Sequence, residues 1–112
     1  MRAEDLTEKW LNKTLFKIDI YIYLIENINA RKYHDIETIS HVSDLCYDIY
    51  RWAHGEYPSL CSFLKAVVDN DLSESAHLAD DINRTALWLY VAFLHNVAPG
   101  GWKEYFQPSE GI

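Results

Sequence analysis

Glycine and proline are placed so unevenly in this chain that they point to one fold class. The first 54 residues contain neither, and a second stretch free of both runs from Ser59 to Ala98. All seven lie in three clusters: Gly55 and Pro58; Pro99, Gly100 and Gly101; Pro108 and Gly111. Strand-rich folds of this size need tight turns, which draw heavily on glycine and proline, whereas helices run best without either. The expected fold is all-α: a compact bundle of four main helices with a short fifth C-terminal turn.

The apolar spacing places those helices. Leu11, Leu15, Ile18, Ile22 and Ile25 recur at intervals of four and three, which predicts one helix from about Glu4 to Ile28. A strand competes at 18–24, where apolar residues alternate with Asp19, Tyr21 and Tyr23. Helix is preferred because the stripe extends past that stretch on both sides. A second helix is expected from about Ile36 to His54, capped by Asp35 and stopped by Gly55. It turns Ile36, Ile39, Val42, Leu45, Cys46, Ile49, Trp52 and Ala53 inward and Glu37, His41, Asp44, Asp48 and Arg51 outward. Ser59 caps a third, from about Leu60 to Val68. The Asp71-Leu72-Ser73-Glu74 capping box opens a fourth, from about Ser73 to Val97, and Trp102 to Phe106 supplies the last turn. Residues 1–112 form a single domain, with 107–112 a loose tail. The expected core is Leu15, Ile18, Ile22, Leu45, Ile49, Leu64, Ile82, Leu89 and Phe93.

The fourth helix carries the longest unbroken apolar run, the nine residues from Ala86 to Leu94. Nine residues fall far short of the roughly 20 that span a bilayer, so no membrane segment is expected. A helix apolar on every face must instead be surrounded, and the other helices of so short a chain cover only part of it. Trp88, Tyr90 and Val91 are therefore the expected self-association residues, burying the leftover flank in a homodimer.

Charge is as uneven as the breakers. Residues 1–34 hold six Lys/Arg against five Asp/Glu, and residues 35–112 hold four against twelve, which gives +1 and −8 and the net −7. Asp69, Asp71, Glu74, Asp80 and Asp81 fall within one segment that has no base. Such a surface repels phosphate and argues against nucleic acid. It suits a protein partner with a basic surface. Two cysteines, Cys46 and Cys61, with no CxxC pair suggest the reducing cytoplasm.

Catalytic chemistry finds little footing. Glu37, His41 and Asp44 share a helical face, and Glu74-Ser75-Ala76-His77 has the Glu-x-x-His spacing of di-iron bundles. No second Glu-x-x-His occurs, and acid–imidazole pairs are common on solvated faces. His34-Asp35 reads as a helix cap rather than a phosphohydrolase ligand pair. Both cysteines are placed on apolar faces, where a thiol is inert. There is no Gly-x-Ser-x-Gly elbow and no phosphate-binding glycine loop. Neither a cofactor nor a metal is expected.

The function that fits best is a small acidic, non-enzymatic protein-binding module of the inhibitor, immunity or antitoxin type. Asp69, Asp71, Glu74, Asp80 and Asp81 would form its acidic binding face, with Glu56 and Tyr57 as a second patch on the inter-helix loop. A structural subunit of a homo-oligomer is the alternative, followed by a metal-dependent helical enzyme.

Overall fold

The computed structural model describes residues 2–57 and 59–102. Among these, the chain forms α1 (Ala3–Leu11), α2 (Lys17–Glu26), a 3-10 turn (Ala30–Lys32), α3 (Ile36–Ala53), α4 (Ser62–Val68), α5 (Leu72–Leu78), α6 (Asp81–Thr85) and α7 (Leu87–Asn96). No strand occurs among the described residues, so 18–24 is helical. Residues 103–106 of the expected last turn, and the tail 107–112, lie outside the described residues.

α3 is the helix whose limits follow most directly from its residues. The Asp35 carboxylate accepts the Thr38 backbone N–H at 2.8 Å and closes the N-terminus. At the other end Gly55 takes φ +76°, its N–H donates to the Trp52 carbonyl at 3.0 Å, and the Glu56 N–H donates to the Arg51 carbonyl at 2.8 Å. That bonding pair satisfies two terminal carbonyls in a left-handed stop. Ile39, Val42, Cys46, Ile49, Trp52 and Ala53 are buried as the apolar stripe predicts, while Ile36 is exposed and Leu45 half-buried.

The expected first helix is two helices. Lys13 takes φ +59°, and the bonds Lys13 N–H to Trp10 carbonyl and Thr14 N–H to Lys9 carbonyl repeat the stop seen at Gly55. The chain then folds back so that α1 buries Leu6 and Trp10, and α2 buries Ile20, Tyr23 and Leu24. The predicted stripe is broken accordingly. Only Leu15 on it is buried; Ile22 and Ile25 are half-buried, and Leu11 and Ile18 are exposed. Residues 18–24 are apolar on nearly every side, so spacing alone could not select the inward face.

The expected fourth helix is three. Asp71 caps α5 as predicted, accepting the Glu74 N–H at 3.1 Å. Ala79 is then extended, and Asp80 caps a new helix by accepting the Asn83 N–H at 2.8 Å. Arg84 fastens this joint by donating to the Ala76 and Ala79 carbonyls at 3.1 and 3.0 Å. A second bend at Ala86 sets off α7. These bends leave Leu78 exposed, and with it Ile82, which the expected core included. α4 likewise begins at Ser62, not under a Ser59 cap, because Leu60 is buried from an extended segment ahead of the helix.

The pieces close around Trp10. Its ring meets Tyr50 edge-on at 5.3 Å, Phe93 at 6.0 Å and Trp102 at 5.6 Å, joining α1, α3, α7 and the segment after α7. The Thr7 hydroxyl donates to the Val97 carbonyl at 2.7 Å and ties the same ends together. Of the expected core, Leu15, Ile49, Leu64, Leu89 and Phe93 are buried, Ile22 and Leu45 are half-buried, and Ile18 and Ile82 face water.

Candidate functional site

The short helices α4, α5 and α6 carry the acidic segment on the surface. Asp69, Asp71, Glu74, Asp80 and Asp81 are all exposed. Asp69 ends α4, Asp71 and Asp80 cap the two helices that follow, and Glu74 lies in the first turn of α5. Two of the five thus serve folding as well as charge. A capping carboxylate keeps acceptor capacity on its second oxygen, so the cap does not remove it from the surface. Asp81 faces Arg84 at 3.4 Å on an exposed turn.

Asp69, Asp71 and Glu74 come together around one open depression of about 260 Å³ between α4 and α5, with Ser62, Lys65, Ala66 and Leu78 completing its wall. Asp80 and Asp81 do not line it and instead begin the next helix. A smaller cleft beside it, lined by Val67, Asn70, Asp71, Ser75, Leu87 and Val91, leads from the acidic rim to the outer face of α7.

Of the loop residues, Tyr57 is held against the fold while Glu56 is held through its backbone. The Arg51 guanidinium lies 5.5 Å from the centre of the Tyr57 ring and 5.9 Å from that of Tyr47, and it donates to the Glu56 carbonyl. Tyr57 is half-buried against the core, so its ring is not a free anchor; the Glu56 side chain is exposed. Arg51, drawn as an outward charge in the sequence pattern, is what pins it.

The three self-association candidates separate. Tyr90 is fully buried, its ring edge-on to Phe63 at 5.4 Å and its hydroxyl donating to the buried Asn83 side-chain oxygen at 2.6 Å. Burial pushes its phenol far above the ordinary tyrosine range. It belongs to the interior, because the bend at Ala86 turns this side of α7 back onto α4. Trp88 and Val91 are exposed, 38% and 51%. Trp88 does not stand alone: its indole N–H donates to His34 Nε2 at 3.1 Å, and Tyr33 meets it edge-on at 6.0 Å. In the sequence, Arg31-Lys32-Tyr33-His34 is a basic patch too small for nucleic acid but able to pair with the acidic half of another copy. Its contact with position 88 spans 54 residues and leaves no local signal.

The other candidate chemistry stays apart. Burial holds the Cys46 thiol well above its ordinary range, as an inert interior thiol requires, whereas Cys61 is exposed and not on the buried face expected of it. The described residues contain no group of three or more His, Cys, Asp or Glu placed to hold a metal ion. Asp44 of the Glu37/His41/Asp44 face pairs with Lys17 across to α2. No helix among the described residues is long and apolar enough to cross a membrane. Compared with known proteins, the chain matches no family model, no curated protein and no solved structure.

Proposed function

We propose that this chain is a non-enzymatic protein-binding module, of the inhibitor, immunity or antitoxin kind, that engages a basic partner through its acidic surface in the cytoplasm. The observation that supports this reading best is the depression between α4 and α5, where Asp69, Asp71 and Glu74 converge beside the exposed apolar side chain of Leu78. Three carboxylates against the one ammonium of Lys65 leave the depression net negative, which raises the encounter rate with a cation, and an apolar contact then slows release. Leu78 takes the anchoring role that Tyr57 cannot, and Asp80 and Asp81 extend the field along the next helix.

The test is capture from the native cell by the parent chain and by the Asp69→Asn/Glu74→Gln/Asp81→Asn variant, at low and high salt. A partner retained by the parent at low salt, released by salt and not held by the variant supports the reading. Equal retention of the same partner by both proteins at low salt overturns it. Stability should be nearly the same in the two, since exposed charges contribute little.

A structural subunit of a homo-oligomer is the second reading. It is favoured by the exposed pair Trp88 and Val91 on α7.

A further inference from the structure

We propose that one surface strip makes this chain complementary to itself, so that two copies pair about a twofold axis. The strip can be followed residue by residue. It begins at Arg31 and Lys32, both exposed on the 3-10 turn, where the Lys32 ammonium lies 5.5 Å from the centre of the Tyr33 ring. Tyr33, 66% exposed, meets Trp88 edge-on. Trp88 and Val91 are three residues apart and share the outward face of α7. Val91 shares a cleft with Asp71, and Asp71 shares the next depression with Asp69 and Glu74.

The strip is therefore positive at one end, apolar and aromatic in the middle and negative at the other. A half-turn about an axis through the Trp88–Val91 region superposes its middle on itself and brings each basic end against an acidic end. Such a surface needs no foreign sequence to match it, because the second copy already carries the matching order. Its layout also has the anatomy of an interface, with apolar and aromatic side chains at the centre and charges at the rim. This pairing rests on the acidic-surface reading above and names a second copy as an occupant of that surface.

Charge exchange tests it. Sedimentation equilibrium across the micromolar range should give the parent twice its 13.1 kDa chain mass. The Arg31→Glu/Lys32→Glu variant and the Asp69→Lys/Glu74→Lys variant should each sediment at 13.1 kDa, because both ends of each strip then carry one sign. Mixed in equal amounts they should return to twice that mass. Val91→Glu, which leaves every rim charge in place, should also be monomeric. Unchanged far-ultraviolet circular dichroism shows that each variant is folded. A parent that stays at 13.1 kDa throughout, a dimer that the reversals or Val91→Glu leave intact, or reversed variants that do not recombine overturns the pairing. A monomeric parent whose captured partner still depends on Asp69 and Glu74 overturns the pairing alone and leaves the binding-module reading standing.

Discussion

α3 and the longer stretch from Leu72 to Asn96 use the chain in opposite ways. α3 is one helix of 18 residues with one cap, one stop and one buried face. The later stretch is cut into helices of seven, five and ten residues, with new caps at Asp71 and Asp80 and a bend at Ala86. The difference shows that helix length here follows capping and the route around the core, not helix propensity. A long helix survives where its apolar stripe is single and its partners lie on one side. Where apolar residues occupy every side, the chain gains more burial by bending and wrapping than by running straight. The same bends lift the acidic side chains of α5 and α6 outward, so the less regular region is the one that carries the candidate binding surface.

Core truncation should put the two regions on equal terms. Leu89→Ala in α7 and Ile49→Ala in α3 each remove a side chain with no solvent exposure, and each should cost about 2–5 kcal/mol in chemical denaturation. Ile82→Ala, on the exposed turn between the bends, should change stability by no more than about 0.5 kcal/mol. Equal losses at Leu89 and Ile82 would mean that the stretch is a single helix after all.

The interior hydrogen bond at the bend sharpens the contrast. Tyr90→Phe strands the buried Asn83 side-chain oxygen and should cost about 1–3 kcal/mol, read from the denaturation midpoint. No loss would show that water or another donor replaces the hydroxyl.

Capping should matter in both regions. Asp80→Ala removes the acceptor that starts α6 and should cost about 1 kcal/mol. In α3 the corresponding effect is legible as pH dependence. The Thr38 backbone N–H, then its hydroxyl, hold the Asp35 carboxyl below the usual range. That stabilisation is present above the unfolded carboxyl's range and is lost as pH falls below about 4. Asp35→Asn should therefore make acid unfolding less steep. Asp48, raised mainly by burial, acts with the opposite sign, so Asp48→Asn should help at neutral pH and not in acid.

Modest effects of opposite sign are expected at two of the left-handed stops, Lys13 and Gly55. Lys13 adopts φ +59° with a side chain that disfavours it, so Lys13→Gly should stabilise by about 0.5–1 kcal/mol. Gly55→Ala should destabilise by about 1 kcal/mol through backbone strain alone, since an added Cβ at Gly55 meets nothing within 4 Å. The same sign for both would show that the stops differ despite their identical bonding.

How much of this could be read in advance follows from those stops. Three helices end in the same bonding pattern, at Lys13, Gly55 and Asn70. Only Gly55 announced itself, because glycine is the residue that takes positive φ without cost. At Lys13 and Asn70 the conformation is imposed by what the chain buries on either side. The candidate surface divides in the same manner. That the acids face water was legible at Asp69, Asp71, Glu74, Asp80 and Asp81, and so was the helix start at Asp71; that Asp80 begins a new helix was not, because the apolar pattern runs on through it. That Tyr57 is pinned by Arg51, Tyr90 is interior and Tyr33 meets Trp88 was not, because each depends on which elements touch.

By itself, then, the sequence determined the all-α class, the full course of α3, the caps at Asp35 and Asp71, and the segregation of acid toward the later part of the chain. These rest on local physics: breaker placement, a single apolar stripe, and side chains that bond backbone within the next turn. Tertiary structure alone decided where the first and last helical stretches break, which side of α2 and α7 faces inward, and that Arg31 and Lys32 lie on a continuous strip with Asp69 and Glu74. An apolar segment without a unique stripe is compatible with several inward faces. Only the burial available against the rest of the molecule selects among them.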